Sequence, residues 1–335
     1  MIGITQQHIA EALNVSRETV TKALQDHPKV SSYTKEKVRQ MAEEMGYIPN
    51  FPARNLSSRK TKTIGVILPK ISHSFFSSIL ELMYKNAGDC GYNLIPMVSF
   101  EERVNEVRNI KTLLSMRVDG IIANISQDNW EPGFYLELKK QDIPVVFFDR
   151  VIESDQFSTV TTDDRKVSFE VMTYALSKGY SKPAHLAGYS KINIGRERKK
   201  GFFDALKEYN IESNPDWVIE GGFSENSRME NARRLLYSKN RPDLVFCFND
   251  TIAKCVYSVA DEFNLNIPGD LGVIGFGNLA FGSILRPKLT TIDMPIQVIA
   301  EESIRLIIGH IEKRKDYCVK HVRLKPEVII RESCR

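Results

Sequence analysis

The spacing of apolar and polar positions changes period partway along the chain. Residues 4–24 (ITQQHIAEALNVSRETVTKAL) carry two short apolar runs at helical spacing. Ile9 and Leu13 form one stripe, and Val15, Val20 and Leu24 can meet it from a second helix. Asn14 falls between them, where a tight turn wants a left-handed backbone and Asn is the best non-glycine residue for it. Ser16 follows as an N-cap, its hydroxyl placed to accept from the first exposed amides of a helix over 17–24. The outward face of that helix carries Arg17, Glu18, Thr21 and Lys22, residue types that read base edges or touch phosphate. Taken alone, the same pattern describes an ordinary helical hairpin with a solvated face. A third helical stretch over 31–45, capped by Ser31 or Ser32, puts Val38, Met41 and Met45 on one side and closes a three-helix core. Pro49 and Pro52 block regular structure beyond it, and 53–62 (ARNLSSRKTK) reads as a short basic linker.

From Thr63 onward the period shortens to that of strands alternating with amphipathic helices. Strands are predicted at 63–69, 92–99, 118–125 and 144–149, with helices near 75–90, 102–117 and 131–141 between them. A second set is predicted at 159–163, 183–188, 217–223, 243–250 and 271–277. Apolar strands separated by helices imply parallel sheets, and two such runs imply two doubly wound halves. A helix over 295–313 and a strand around 322–331 exceed what the second half needs, so the chain is expected to cross back to the first.

Charge changes the reading of the first segment. Through Lys62 the chain carries ten Lys/Arg against six Asp/Glu; the whole chain has 46 against 42, so the remainder holds 36 of each. All of the excess positive charge lies on the helical head, as a polyanion-binding head on a neutral body requires. The five cysteines are odd in number, scattered and free of C-x-x-C pairs, which implies neither a disulfide framework nor a metal site. No apolar run approaches a membrane span, and the chain starts on a polar helix rather than a secretory signal, so no membrane partner and a cytoplasmic (bacterial) location are expected. Phosphate-binding, zinc-protease and nucleophile-elbow motifs are absent, and GFGNLAFG (275–282) lacks dinucleotide-loop spacing, so binding without a cofactor is expected rather than turnover.

Open parallel sheets bind ligands at the carboxyl ends of their strands. Those ends carry Asn124 and Ser126, Asp149 and Arg150, Asp163 and Asp164, Phe223, Asn249 and Asp250, and Gly277 and Asn278. Two facing halves would gather them into a cleft suited to a small polyhydroxylated or hydrogen-bonding ligand. Each residue singly is as readily a helix cap or turn former; Asp250 before TIAKCV is an example.

The order of head, basic hinge and two-lobed body resembles the LacI/GalR family of bacterial transcriptional regulators over essentially the whole chain. The matching segments are IAEALNVSRETVTKAL, VSSYTKEKVRQMAEEMGYIPN, ARNL, IGVILP, GRERKKGF, FCFND and IPGDLGVIGFGN followed by RPKLTTI. The resemblance implies an all-α helix-turn-helix head (1–47), a hinge (48–62) and a periplasmic-binding-protein-like α/β body (63–335). Within the body, lobe one is expected over 63–158 and 292–320, and lobe two over 159–291 and 321–335. It implies base reading by Arg17, Glu18 and Lys22 in the major groove and a minor-groove wedge at Leu56. Backbone or hinge contacts are implied at Thr5, Ser16, Thr19, Ser31, Thr34, Tyr47, Asn50 and Ala53. In the cleft it implies an arginine clamp at Arg198, an aromatic platform at Phe223, polar contacts from Asn249 and Asp149, and a lobe-one loop at Phe75 and Phe76. Asn124, Gly277 and Asn278 complete the expected effector set. Gly277-Asn278 stand where the family commonly has Asp-Asp, His8 replaces a usual aspartate, and Leu13-Asn14 replace a usual Ala-Gly. The expected partners are double-stranded operator DNA, a small-molecule effector of carbohydrate or related type, and a second copy of the chain. A repressor working as a dimer is expected, since the chain ends at Arg335 without leucine heptads. A transport solute-binding protein, an enzyme on the same halves, and a regulator whose effector is a partner protein are the alternatives.

Overall fold

Helices α1 (Gln6–Ala12), α2 (Arg17–Leu24) and α3 (Ser32–Glu44) build the head around Ile9, Val20, Ala23, Val38 and Ala42, all buried. Asn14 has φ of 49°, the left-handed backbone its type predicts for the turn between α1 and α2. Ser16 Oγ accepts from Thr19 N at 3.0 Å, and Ser31 Oγ accepts from Thr34 N at 3.2 Å, so the start of each helix has a side-chain cap. Thr21 Oγ1 donates to Gln6 Oε1 at 2.7 Å and ties α2 to α1.

In this computed structural model residues 4–47, 60–128, 132–222, 224–237, 240–313 and 318–335 are described, and the chain divides into two units, Met1–Thr61 and Lys62–Arg335. Most of the expected hinge, with Asn50, Ala53 and Leu56, lies outside the described residues.

In the body, strands β1 (Thr63–Leu68), β2 (Asn93–Val98), β3 (Gly120–Ala123), β4 (Val145–Phe148), β5 (Ser158–Thr162) and β11 (His321–Leu324) form one sheet in the order β11-β5-β4-β3-β1-β2. All neighbouring pairs in it are parallel. β1 is buried along its whole length, as a parallel strand covered on both faces must be. Helices α4 (Ser74–Asp89) and α11 (Ile296–Ile311) share one core, and α5 (Arg103–Ser115) and α6 (Gly133–Lys140) contribute to another. The second sheet is β7-β6-β8-β9, again parallel, from β6 (Pro183–Ala187), β7 (Val218–Glu220), β8 (Leu244–Cys247) and β9 (Gly272–Ile274). Helices α7 (Asp164–Ser177) and α8 (Asn193–Glu208) pack closely together, because Gly201 lets them approach. A Cβ there would meet Arg165 O at 2.3 Å. Helices α9 (Glu225–Leu236) and α10 (Asp250–Glu262) pack against each other.

The sheets correct the expected lobe boundaries at two places. The strand at 158–162, assigned to the second half, lies in the first sheet between β4 and β11, and 321–324 adds to that sheet's far edge. β4 and β5 are joined by 149–157 without a helix, so the strand–helix rhythm that separates the halves is interrupted there. β11 alternates exposed and half-buried residues, the pattern of an edge strand. The chain thus passes between lobes at 162–164, 293–296 and 324–327, where β10 (Thr291–Asp293) and β12 (Glu327–Ile329) pair antiparallel. Two passages are tied together: Asp163 N donates to Leu324 O at 2.9 Å, and Arg323 Nη2 donates to Asp163 Oδ1 at 2.7 Å.

His185 in β6 is fully buried between the rings of Phe202 and Phe246, at 5.2 and 4.8 Å. Burial pushes its pKa down to about 4. A histidine whose folded pKa is depressed contributes stability above its unfolded value and loses it as pH falls through that value towards the folded one. Acidification from about pH 7 to pH 5 should therefore cost the body about 2 kcal/mol through this residue. Denaturant titrations of wild type and His185→Phe at both pH values check this; the variant should lose correspondingly less.

Candidate functional site

Two surfaces bring the expected residues together, one in each unit. On the head, Ser16, Glu18, Thr19, Lys22, Ser31 and Thr34 line one concavity with Lys29 and Val30. It lies at the starts of α2 and α3, whose amide ends carry positive partial charge and favour phosphate. Glu18 and Lys22 are paired at 2.6 Å, and the lysine holds the glutamate carboxyl below its ordinary range. Arg17 is exposed next to them. Thr5 stands at the exposed start of α1, where its N–H donates to His8 Nδ1 at 3.3 Å. Tyr47 packs partly buried against the head core. Lys29 is the residue that sequence reasoning missed; it lies between helices, where no apolar period marks it.

The body holds a cavity of about 510 Å³ between the two lobes. Phe75, Phe76 and Asp149 enter from lobe one, and Arg198, Asn249 and Gly277 from lobe two. Arg198 is buried from α8. Its Nε donates to Asp164 Oδ2 at 2.9 Å, its Nη1 donates to Phe248 O at 2.7 Å, and its guanidinium carbon sits 3.5 Å from the centre of the Phe276 ring. Asp164 is the first residue of α7, directly at the 162–164 passage between lobes. One buried ion pair therefore joins the cavity wall to the interlobe connection.

Asp149 follows β4 with φ of 56°, a left-handed backbone that aspartate tolerates better than most residues and that surrounding constraint holds in place. The constraint is visible: Asn193 Nδ2 donates to Asp149 O at 2.8 Å, and Asn124 Nδ2 donates to Asp149 Oδ2 at 3.0 Å. Burial raises the Asp149 carboxyl above its ordinary pKa against the opposing pull of Arg198 and Arg150.

Two expected contacts are corrected. Asn124 does not line the cavity, since its amide is spent on Phe148 O and Asp149 Oδ2, so it positions the aspartate. Asn278 is also absent from the lining, because its amide donates to Asp293 Oδ1 at 3.1 Å and its carbonyl accepts from Arg331 Nη2 at 2.7 Å. Phe223 lies outside the described residues. Asn249 lines the cavity while also capping α10, its Oδ1 accepting from Ile252 N at 2.9 Å. Asp250 is buried beneath it, accepting from Thr291 Oγ1 and Leu279 N, both at 2.6 Å. The cap alternative thus holds for Asn249, whereas Asp250 opens the helix and uses its carboxylate to hold Leu279 and Thr291.

The cavity also takes Arg150, expected there as a polar strand end, and adds Phe248, Phe276 and His73, which were not assigned to it. Arg150 Nη1 donates to Glu101 Oε2 at 2.7 Å as a buried pair, and Phe248 and Phe276 form aromatic wall. His73, at the cap of α4, reaches across to Thr251 Oγ1 of lobe two at 3.3 Å. Burial, reinforced by Arg150, Arg228 and Lys70, pushes the His73 pKa down to about 4. Phe248 and Phe276 could not be told from core residues in the sequence, because wall and core aromatics have the same spacing.

A helix-turn-helix head on a two-lobed ligand-binding body is the build of a DNA-binding transcriptional regulator with a small-molecule site. The comparisons agree: residues 5–50 match the family described as bacterial regulatory proteins, lacI family, and residues 61–329 match periplasmic binding proteins and sugar binding domain of LacI family. The chain belongs to the LacI family. It is 30% identical to catabolite control protein A of Priestia megaterium, covering 93% of this chain and 94% of the relative. It is likewise 30% identical to the HTH-type transcriptional repressor PurR of Vibrio vulnificus, covering 99% and 98%. The lac repressor dimer bound to operator and the anti-inducer ONPF shares the fold with a TM-score of 0.85 at 23% identity over 99% of both chains. Among the described residues no helix is long and apolar enough to cross a membrane.

Proposed function

We propose that this protein is a cytoplasmic repressor that binds operator DNA as a homodimer and changes its grip when a small molecule, a carbohydrate or related metabolite, enters the interlobe cavity. The observation that carries the reading is the Arg198–Asp164 pair, which places a cavity-wall cation on the connection between lobes. A ligand that contacts both walls changes the preferred angle between lobes, and the hinges of two copies come together or apart accordingly. Two heads about one helical turn apart on a pseudo-palindrome require the dimer. The ligand is bound and released unchanged, with no cofactor. Coupling is reciprocal: operator alters effector affinity by the factor by which effector alters operator affinity.

The test is a gel shift of the full chain on the DNA upstream of its own gene, with and without metabolites, where a specific shift altered by one compound supports the reading. No salt-sensitive association with any DNA, in either condition, overturns it. Leu56→Ala should weaken operator binding with little change in non-specific binding, because only a kinked site uses the wedge. Competition titrations with operator and random duplex measure both, and equal losses would remove the wedge role.

A further inference from the structure

The wall of the interlobe cavity carries more cations than carboxylates. Four cations line it, Lys70, Arg150, Arg198 and Arg228, and three carboxylates, Glu101, Asp149 and Glu225. Arg198 is paired with Asp164 and Arg150 with Glu101. Asp149 is buried, its carboxylate accepting from Asn124 Nδ2. Lys70 and Arg228 are left, from opposite lobes, against the single exposed carboxylate of Glu225.

Hydrogen bonding says the same. Arg150 Nε and Arg228 Nε are both buried without a partner, as is His73 Nδ1. A guanidinium N–H can only donate, so what completes the two arginines must accept. A buried donor without an acceptor is costly, so an acceptor brought to either arginine by a ligand would be stabilising. Planar guanidinium groups match oxyanions in geometry as well as charge. The cavity volume lies within the roughly 300–1,000 Å³ of small-molecule sites, which leaves room for a sugar-sized compound bearing such a group.

We propose that the effector carries an oxyanion, a carboxylate or a phosphoryl group, held between Lys70 and Arg150 of lobe one and Arg228 of lobe two, with its uncharged part on Phe76 and Phe276. The proposal rests on the reading of this cavity as the effector site. It adds a reason for the lobes to respond: the anion draws together cations that repel one another when the cavity is empty of it.

Calorimetric titration of the full chain with matched sets tests it: glucose, glucuronate and glucose 6-phosphate; galactose, galacturonate and galactose 6-phosphate; ribose and ribose 5-phosphate. At least one acid should bind about tenfold or more tighter than its neutral parent, a difference of about 1.4 kcal/mol. The carboxylate and phosphate arms identify which group is taken. Arg228→Gln should reduce the ratio of acid to parent towards one, and Arg228→Lys, which keeps the charge but loses the fork, should fall between; thermal midpoints establish that both variants fold. A neutral parent that binds as tightly as its acids, or an acid preference that survives Arg228→Gln, overturns the anion while leaving the effector reading in place. Binding by no compound of either class removes the effector reading and the anion with it.

Discussion

Arg198→Met should cost the body about 3–5 kcal/mol of stability, because removing one member of a buried ion pair strands the other's charge. The guanidinium and the Asp164 carboxylate are 5% and 2% exposed, so water cannot take over. The carboxylate keeps one donor, Thr162 Oγ1, which is insufficient for a full charge. Adding Asp164→Asn to Arg198→Met should recover more than half of the loss, since the amide carries no charge to strand. Urea unfolding of the two variants decides it, and equal midpoints for the single and double variants would mean the cost comes from lost packing on Phe276 and Phe248 instead. The variants also separate stability from signalling. The double variant should fold and bind operator yet respond weakly to effector, because the link between cavity wall and interlobe passage is gone. Operator titrations at saturating effector would show this as a reduced ratio of affinities with and without ligand.

What could be read from the chain follows what local physics controls. The head was legible almost to the residue: Asn14 takes the left-handed turn and Ser16 and Ser31 cap their helices, since turns and caps are set by one or two neighbours. The parallel sheets were legible because strands buried on both faces, such as β1, read as continuous apolar runs. Sheet membership was not. Nothing in Ser158–Thr162 states that it pairs with Val146 and Phe147 of β4 rather than opening a new sheet, since pairing is a long-range choice. The cavity was legible as a set of strand ends, and Asp149, Arg150 and Asn249 do reach it. Orientation within that set was not. Asn124 and Asn278 stand at equally polar strand ends, but each has close partners that turn its amide away from the cavity. Glu101 and Lys29 lie in connections without a period, so only the three-dimensional arrangement assigns them to a surface.

Operator affinity should fall by about 10³–10⁵ between roughly 50 and 200 mM salt if the dimer makes six to ten phosphate contacts. Within that total, Arg17 and Lys29 are expected to behave differently, because they stand at different places on the head. Lys29 lines the concavity at the starts of α2 and α3, among Ser16, Ser31 and Thr34, where amide ends and hydroxyls also favour phosphate. Lys29→Ala should therefore weaken all duplexes alike and reduce the salt slope by about 1 per head, about 2 per dimer. Arg17 opens α2 on the exposed face, where a recognition helix meets base edges. Arg17→Ala should cost about 1–3 kcal/mol on operator, relax preference at one position of each half-site, and leave the salt slope nearly unchanged. Glu18 and Lys22 neutralise each other across one turn of α2, so in the free head Arg17 is the cation of this helix not already engaged among the described residues. Anisotropy titrations over a salt series, on operator and on single-base variants, give both quantities at once. A uniform loss across sequences for Arg17→Ala, with a shallower slope, would make Arg17 a phosphate contact and shift base reading to Glu18 and Lys22.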